Sequence, residues 1–317
     1  MTQPAPSAAL PPCPITGRPA LRRVHGVAAS TLRGLWRHGQ GVDVDRLFDG
    51  RASLGLYESD CGLMFFDPLI AGDRRFYADY YARQKIHLHL SRLAATRSDF
   101  LQAASHIPRG ARVLDVGSGS AAFRQHLAHA DYRGLDPYAD HDDPAIHRES
   151  LEDHAAGHAG EYDVVCAFHV IEHLAAPLQA ARLMARLLKP GGLLILAAPL
   201  HPSPLTEIPN LPMNLPPHHL SWWNPRAFSA LAGALGLEVR EACTLPPSPH
   251  AGLVYWIHRL LPLRSSPPPD ERYVAHRLGW HLSLLVAYGL ARCIAPVMPL
   301  PAGARPIDAF LVARKPA

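Results

Sequence analysis

The chain has 317 residues, 48% of them hydrophobic and 18% charged, with a formal net charge of +4. That length can bury a sizeable core, and the composition is that of a globular enzyme rather than a disordered chain. The 31 basic residues, only three of them lysines, form no Lys/Arg run of the kind that tracks a phosphate backbone, so no nucleic-acid partner is expected.

The Arg-, Ala- and Pro-rich composition follows genome base composition as readily as function. The 32 prolines cluster at 4–19, 199–217, 246–269 and 296–306 and mark edges and loops. Five scattered cysteines argue against a disulfide framework and for a reducing compartment. The start, Met1-Thr-Gln-Pro-Ala-Pro-Ser, has no basic, apolar leader pattern, so a cytoplasmic location is expected. The apolar run Leu282 to Ala291 is about half the ~20 residues of a spanning helix.

Residues 1–75 read as short strands and turns. Two pieces stand out, Cys13-Pro-Ile-Thr16-Gly17 and Glu58-Ser-Asp-Cys61-Gly62-Leu-Met-Phe-Phe-Asp67-Pro68. They resemble a zinc ribbon with two Cys-x-x-Cys knuckles, in which Thr16 and Glu58 stand where two thiolates would be. Tetrahedral zinc wants four good ligands and Cys13 with Cys61 supply two, so a metal-free packing module is expected and no metal site is assigned.

From Phe76 to His106, Tyr77, Tyr80, Tyr81, Ile86, Leu90, Leu93, Phe100 and Leu101 recur at helical spacing, which predicts two amphipathic helices. Pro108-Arg-Gly110 ends that pattern, and a buried strand begins at Ala111. An alternating series follows: helix 122–130, strand 132–135, a strand near Ile146, strand 162–168, helix 176–188 and strand 193–197. Such alternation predicts a mostly parallel sheet with crossover helices. Helix 225–235 ends at Gly236 and feeds strand 237–241, and the last strand is 308–313. Between them, residues 245–305 form an insert with apolar segments 253–263 and 278–294.

Val113-Leu-Asp115-Val-Gly117-Ser-Gly119-Ser-Ala121-Ala122 reads as a strand, a glycine turn and the start of a helix, where backbone can approach a ligand closely. Read as Gly117-x-Gly119-x-x-Ala122, with Asp136 downstream, it also satisfies a dinucleotide fingerprint. The later segments separate the two cofactor classes. They are Tyr132-Arg-Gly-Leu-Asp136-Pro137, Glu149-Ser-Leu151-Glu152-Asp153, Tyr162 to Phe168 running into His169-Val-Ile-Glu172-His173-Leu, and Lys189-Pro-Gly-Gly192. In this order and spacing the set resembles the class I S-adenosylmethionine-dependent methyltransferases, in their ubiquinone-type branch.

The resemblance covers residues 76–245 and the last strand. It implies an α/β fold with a Rossmann-like, seven-stranded, mostly parallel sheet, with 1–75 as an N-terminal extension and 76–317 as the S-adenosylmethionine-binding domain. It implies cofactor contacts from Asp115, Gly117, Ser118, Gly119, Asp136, Pro137, Leu151, Glu152, Phe168 and His169. Asp136 would hold the ribose hydroxyls, and Asp115 would lie near the methionine end. Ala121 stands where many members have a third glycine.

Methyl transfer is an in-line displacement dominated by orientation, and an oxygen acceptor would suit a histidine base. His169, His173 and His219 are the candidate catalytic residues, with His218 beside them. Trp222 and Trp223 read mainly as cover for the sheet, while Tyr80 and Tyr81 either close the cofactor pocket or pack their helix. The expected acceptor is a small or lipid-like molecule. The insert packs over the sheet edge, walls a hydrophobic acceptor site or makes peripheral membrane contact. Two other readings stay open: a nicotinamide-dependent oxidoreductase, and a non-catalytic binding subunit on the same fold.

Overall fold

The computed structural model describes residues 9–84, 93–139, 143–261, 272–275 and 278–317. The N-terminal part runs β1 (Arg22–Ala28), α1 (Ala29–Gly34), β2 (Ser53–Glu58), β3 (Met64–Asp67) and α2 (Arg74–Gln84). It then continues as α3 (Ser98–Ser105), β4 (Arg112–Val116), β5 (Asp131–Leu135), β6 (Ile146–His147), α4 (Leu151–Gly157) and β7 (Tyr162–Phe168). The C-terminal part is α5 (Pro177–Leu187), β8 (Leu188–Pro199), β9 (Ser221–Trp222), α6 (Pro225–Ala234), β10 (Glu238–Leu245), α7 (Gly252–Leu260), α8 (Leu278–Ile294) and β11 (Asp308–Arg314).

Seven strands form one sheet in the order β10-β11-β8-β7-β4-β5-β6. The pairs β4–β5, β4–β7, β5–β6 and β7–β8 are parallel, and β11 is antiparallel to both neighbours. This is the expected mostly parallel sheet. Its central strands are buried on both faces: Leu114, Val165 and Leu196 enter one core layer, and Val113, Val164 and Ile195 the other. The connection reverses direction on either side of β4, so the carboxyl ends of β4 and β7 flank a crevice where ligands bind such sheets.

Sequence sets the flanking helices. In α6 the Asn224 side chain accepts from the Ala227 N–H at 2.9 Å, Pro225 occupies the first turn, and Ala227, Phe228, Leu231 and Ala232 are buried. In α5, Ala181, Met184 and Leu187 form the buried face.

Four expectations change. No α-helix spans 122–130: a single 3-10 turn, Ala122–His126, follows the glycine turn. Ala121 is left-handed there (φ +54°), no side chain caps the turn, and buried Phe123 and Leu127 pin the short path to β5. The motif Lys189-Pro-Gly-Gly192, expected between helix 176–188 and strand 193–197, lies inside β8, where the pairing with β7 slips between Tyr162 and Val164 and Gly191 takes φ +77°. Strand 237–241 extends to Leu245 because β11 pairs along its whole length. Residues 1–75 hold a helix as well as strands, since Leu32 and Trp36, one helical turn apart, are both fully buried.

Of the two helices expected in 76–106, α2 and α3 are present; Ile86 and Leu90 lie outside the described residues. The end of segment 253–263 lies outside them too. The N-terminal extension does not stand apart. Its sheet has the order β1-β2-β3-β9, so Ser221–Trp222 of the main domain completes it.

Candidate functional site

The glycine turn leaves β4 with Gly117 at φ +72° and Gly119 at φ +53°. A Cβ on Gly117 would lie 2.5 Å from Val170 Cγ2, so that position is closed to any side chain. A Cβ on Gly119 would meet nothing within 4 Å, so backbone there faces open space. Ser118 Oγ is buried and makes no hydrogen bond.

Asp136, half-buried at the end of β5, braces this turn. Its Oδ2 accepts from Gly119 N–H at 2.9 Å and its Oδ1 from Tyr138 N–H at 2.8 Å. Pro137 beside it is exposed. Asp115, buried at the end of β4, accepts from the Tyr132 hydroxyl at 2.8 Å. Burial pushes its carboxyl up to about 7, more than Tyr132 and the Arg97 charge bring it down. Phe168 packs against Phe123 and Phe100, with ring centroids 4.7 and 5.0 Å away. Leu151 and Glu152 begin α4 under the Ser150 cap; Leu151 touches the core and Glu152 is exposed.

Two predictions arise here. The buried Asp115 carboxyl keeps its proton to higher pH when folded than when unfolded, so its contribution is favourable at low pH and is lost as pH rises from about 4 to about 7. Asp115→Asn removes that loss, and urea titrations of the cofactor-free protein at pH 8 should show a gain of roughly 2 to 4 kcal/mol over wild type. Ala121 holds a left-handed backbone that a methyl group disfavours, so Ala121→Gly should be neutral to about 1 kcal/mol stabilising in the same titrations, whereas Ala to Gly in ordinary backbone is destabilising.

His169 follows β7 with φ +58°, a strained conformation for a residue with a Cβ. Its Nε2 lies 3.5 Å from Asp308 Oδ1 and 3.6 Å from Asp99 Oδ2, and its Nδ1 is 3.7 Å from Glu172 Oε1. Burial disfavours the imidazolium, but the Asp99 and Asp308 carboxylates outweigh it and raise the affinity of His169 for a proton. Asp99 is itself buried, yet the Arg97 guanidinium paired with it and the nearby His169 hold its carboxyl well below the usual range. Burial pushes Asp308 up to about 6.

His173 and His219 lie on the other side of Glu172, with Nε2 atoms 3.7 and 3.9 Å from its Oε1. The three candidate catalytic histidines therefore surround one buried carboxylate. Burial, then the neighbouring imidazoles, drive His218 and His219 well below the ordinary histidine value, so both are neutral.

Helix α2 covers this face. The Tyr80 ring lies 5.1 Å from His218, Tyr77 lies 6.1 Å from His173, and the Arg74 guanidinium sits 5.7 Å over Tyr138. Trp223 stacks on Phe228 and Trp222 packs edge-on to Phe66, both fully buried, which is cover for the sheets. An open cleft lined by Gly110, Lys189 and Arg314 lies at the opposite ends of the strands, away from all these groups.

Sequence reasoning missed Arg97, Asp99 and Asp308. None belongs to a motif, and tertiary packing alone brings them to His169. In the extension, Cys13 and Cys61 are buried with sulfurs 3.9 Å apart, while the surface residue Arg22 holds Glu58 at 2.7 Å.

These residues fit S-adenosylmethionine. The glycine turn offers open backbone, Asp136 has lone pairs to spare for ribose hydroxyls, and Asp115 is a buried carboxylate that a nearby cation would keep ionised.

The profile of the methyltransferase domain family matches residues 84–242, half of the chain. A ubiquinone biosynthesis O-methyltransferase of Sodalis glossinidius (strain morsitans) is 34% identical over 113 residues, 30% of this chain and 44% of that protein. Its counterpart in Escherichia coli (strain K12 / DH10B) is 37% identical over 97 residues, 26% of this chain and 40% of that protein. The chain thus matches under half the length of these relatives. The structure of Haemonchus contortus phosphoethanolamine N-methyltransferase 2 in complex with S-adenosyl-L-methionine superposes with a TM-score of 0.47 at 14% identity, over 80% of this chain and 63% of that one. The chain belongs to the methyltransferase domain family and, within it, to the class I S-adenosylmethionine-dependent methyltransferases.

Proposed function

We propose that the chain transfers the methyl group of S-adenosylmethionine to an oxygen of a small or lipid-like acceptor, with His169 as the base. The observation that carries this reading is the strained His169 backbone at the carboxyl end of β7, which holds an imidazole of raised proton affinity beside the Asp308 and Asp99 carboxylates. Left-handed backbone at a non-glycine residue costs on the order of 1–3 kcal/mol, and such strain concentrates at functional sites.

The cofactor, when bound, supplies an activated methyl group on a sulfonium. Gly117, Ser118 and Gly119 let the backbone approach it, and Asp136 takes the ribose while keeping the turn shaped through Gly119 N–H. Asp115, with Phe168 nearby, would hold the methionine end, and Pro137, Leu151 and Glu152 would hold the adenine side. His169 receives the acceptor's hydroxyl proton, and the Asp99 and Asp308 carboxylates stabilise the imidazolium that forms. His173 and His219 lie behind it, around the buried Glu172 carboxyl, and shape that side of the site. Helix α2, through Tyr77, Tyr80 and Tyr81, excludes water from the reacting atoms.

A lipid-like acceptor is supported by the insert. Helices α7 and α8 pack on each other through Ile257, Ala287 and Ala291. The outer face of α8 leaves Leu282, Leu285, Val286 and Leu290 exposed at helical spacing, with Val297 and Met298 exposed beyond it. Among the described residues no helix is long and apolar enough to cross a membrane, so contact with lipid would be peripheral. The test is incubation of lipid and aqueous extracts with the protein and isotope-labelled methyl donor, followed by mass spectrometry. Label on an oxygen of an extractable lipid supports the reading, and label confined to nitrogen or carbon overturns the assignment of His169 as an oxygen-acceptor base.

A further inference from the structure

Behind His169, the loop before β9 brings three imidazoles together. His173, His218 and His219 each offer a ring nitrogen, and these three atoms lie within 4.8 Å of one another. His173 Nδ1 bonds to the His218 carbonyl at 2.7 Å, and His218 Nδ1 bonds to the Met213 carbonyl at 2.9 Å. A carbonyl can only accept, so each of these Nδ1 atoms carries the proton. In the neutral rings each Nε2 then keeps its lone pair, which is how metal-binding histidines are oriented.

Glu172 supplies an independent observation. It is 1% exposed, and neither of its carboxylate oxygens makes a hydrogen bond; His219 Nδ1 is likewise buried without one. Its Oε1 sits 3.7 Å from His173 Nε2 and 3.9 Å from His219 Nε2. Those separations are too long for hydrogen bonds. They are close to the spacing of two ligands on one ion, roughly 3.4 Å when each lies ~2.1 Å from tetrahedral zinc. A buried carboxyl with no hydrogen bond is costly, and a cation shared with three imidazoles removes that cost.

We propose that His173, His218, His219 and Glu172 bind one divalent transition-metal ion of the zinc class. Three imidazoles and one carboxylate are a zinc donor set, with no thiolate and too little oxygen for magnesium or calcium. The ion would tie the loop that ends at Leu220, whose N–H already bonds to the Glu172 carbonyl at 2.8 Å, to the carboxyl end of β7. Val170, two residues before Glu172, packs on Gly117, so the ion would stand beside the cofactor turn. The proposal concerns binding alone and holds whatever acceptor the enzyme uses.

The test is to strip the full-length protein with chelator and titrate it with Co²⁺ alone, reading the visible d–d bands of a tetrahedral or five-coordinate ion, then to displace them with Zn²⁺. One equivalent should bind, with no thiolate-to-cobalt charge-transfer band. Glu172→Gln and His173→Gln should each weaken binding by about tenfold or more. Cys13→Ser with Cys61→Ser should leave the titration unchanged, which separates this site from the zinc-ribbon-like extension. Circular dichroism shows which variants fold, and His218→Gln replaces either one that does not. Absence of stoichiometric binding to folded wild type would overturn the proposal. So would unchanged affinity in the folded Glu172 and histidine variants, or loss of the signal with the cysteines.

Discussion

Asp136→Ala should weaken binding of S-adenosylhomocysteine by about a hundredfold or more in calorimetric titration, with the folded state retained. Two effects add. The variant loses the carboxylate that would accept from two ribose hydroxyls, and hydrogen bonds to a charged acceptor contribute about 1.5–3 kcal/mol each. It also loses the brace on the turn, since Asp136 holds Gly119 N–H and Tyr138 N–H at once. Asp136→Asn separates the two: it keeps one acceptor oxygen and should lose less. Unchanged affinity in Asp136→Ala would move the ribose site away from the end of β5.

His169→Ala should lower kcat by about 10² to 10³-fold, the usual contribution of a positioned general base, with a smaller change in the KM for the methyl donor. The base works only when neutral. Because Asp99 and Asp308 raise its proton affinity against the effect of burial, kcat in wild type should climb with pH through a limb lying above the ordinary histidine value of about 6.5. Asp308→Asn removes one of the charges facing His169, leaving Asp99, Glu172 and Arg97 around it, and should move that limb to lower pH. A limb that stays in place would assign the pH dependence to another group.

The parts legible in the sequence are those fixed by local chemistry. A run such as Val164 to Phe168 that is apolar on both faces had to be a central strand, and Asn224-Pro225 announced the start of α6. Asp136 and the glycines lay in two neighbouring motifs, and the structure joins them through the Gly119 N–H. The residues that escaped are those whose meaning is tertiary. Arg97 stands at the N-cap of α3 and Asp99 lies in its first turn, and Asp308 opens the last strand some two hundred residues later, so only the finished sheet sets them beside His169. Likewise nothing local shows that Ser221–Trp222 would complete the N-terminal sheet. The helix after the glycine turn failed for a conformational reason, the left-handed Ala121, which an apolar pattern does not record.

The histidines show the same division. His169, His173 and His219 were visible as candidates, but their convergence on Glu172 depends on the loop between β8 and β9 folding back under α2. That fold also sorts their chemistry. Burial makes His218 and His219 neutral and poor proton acceptors, whereas the carboxylates around His169 favour its charged form. Base and site-shaping roles therefore divide along the strand end.

The central claim is methyl transfer from S-adenosylmethionine, and the most direct measurement follows isotope-labelled methyl from donor to product with the purified protein and cell extract. The account predicts a labelled small or lipid-like product, formed together with S-adenosylhomocysteine and lost in Asp136→Ala. Absence of any labelled product, with no calorimetric binding of S-adenosylhomocysteine, would contradict it.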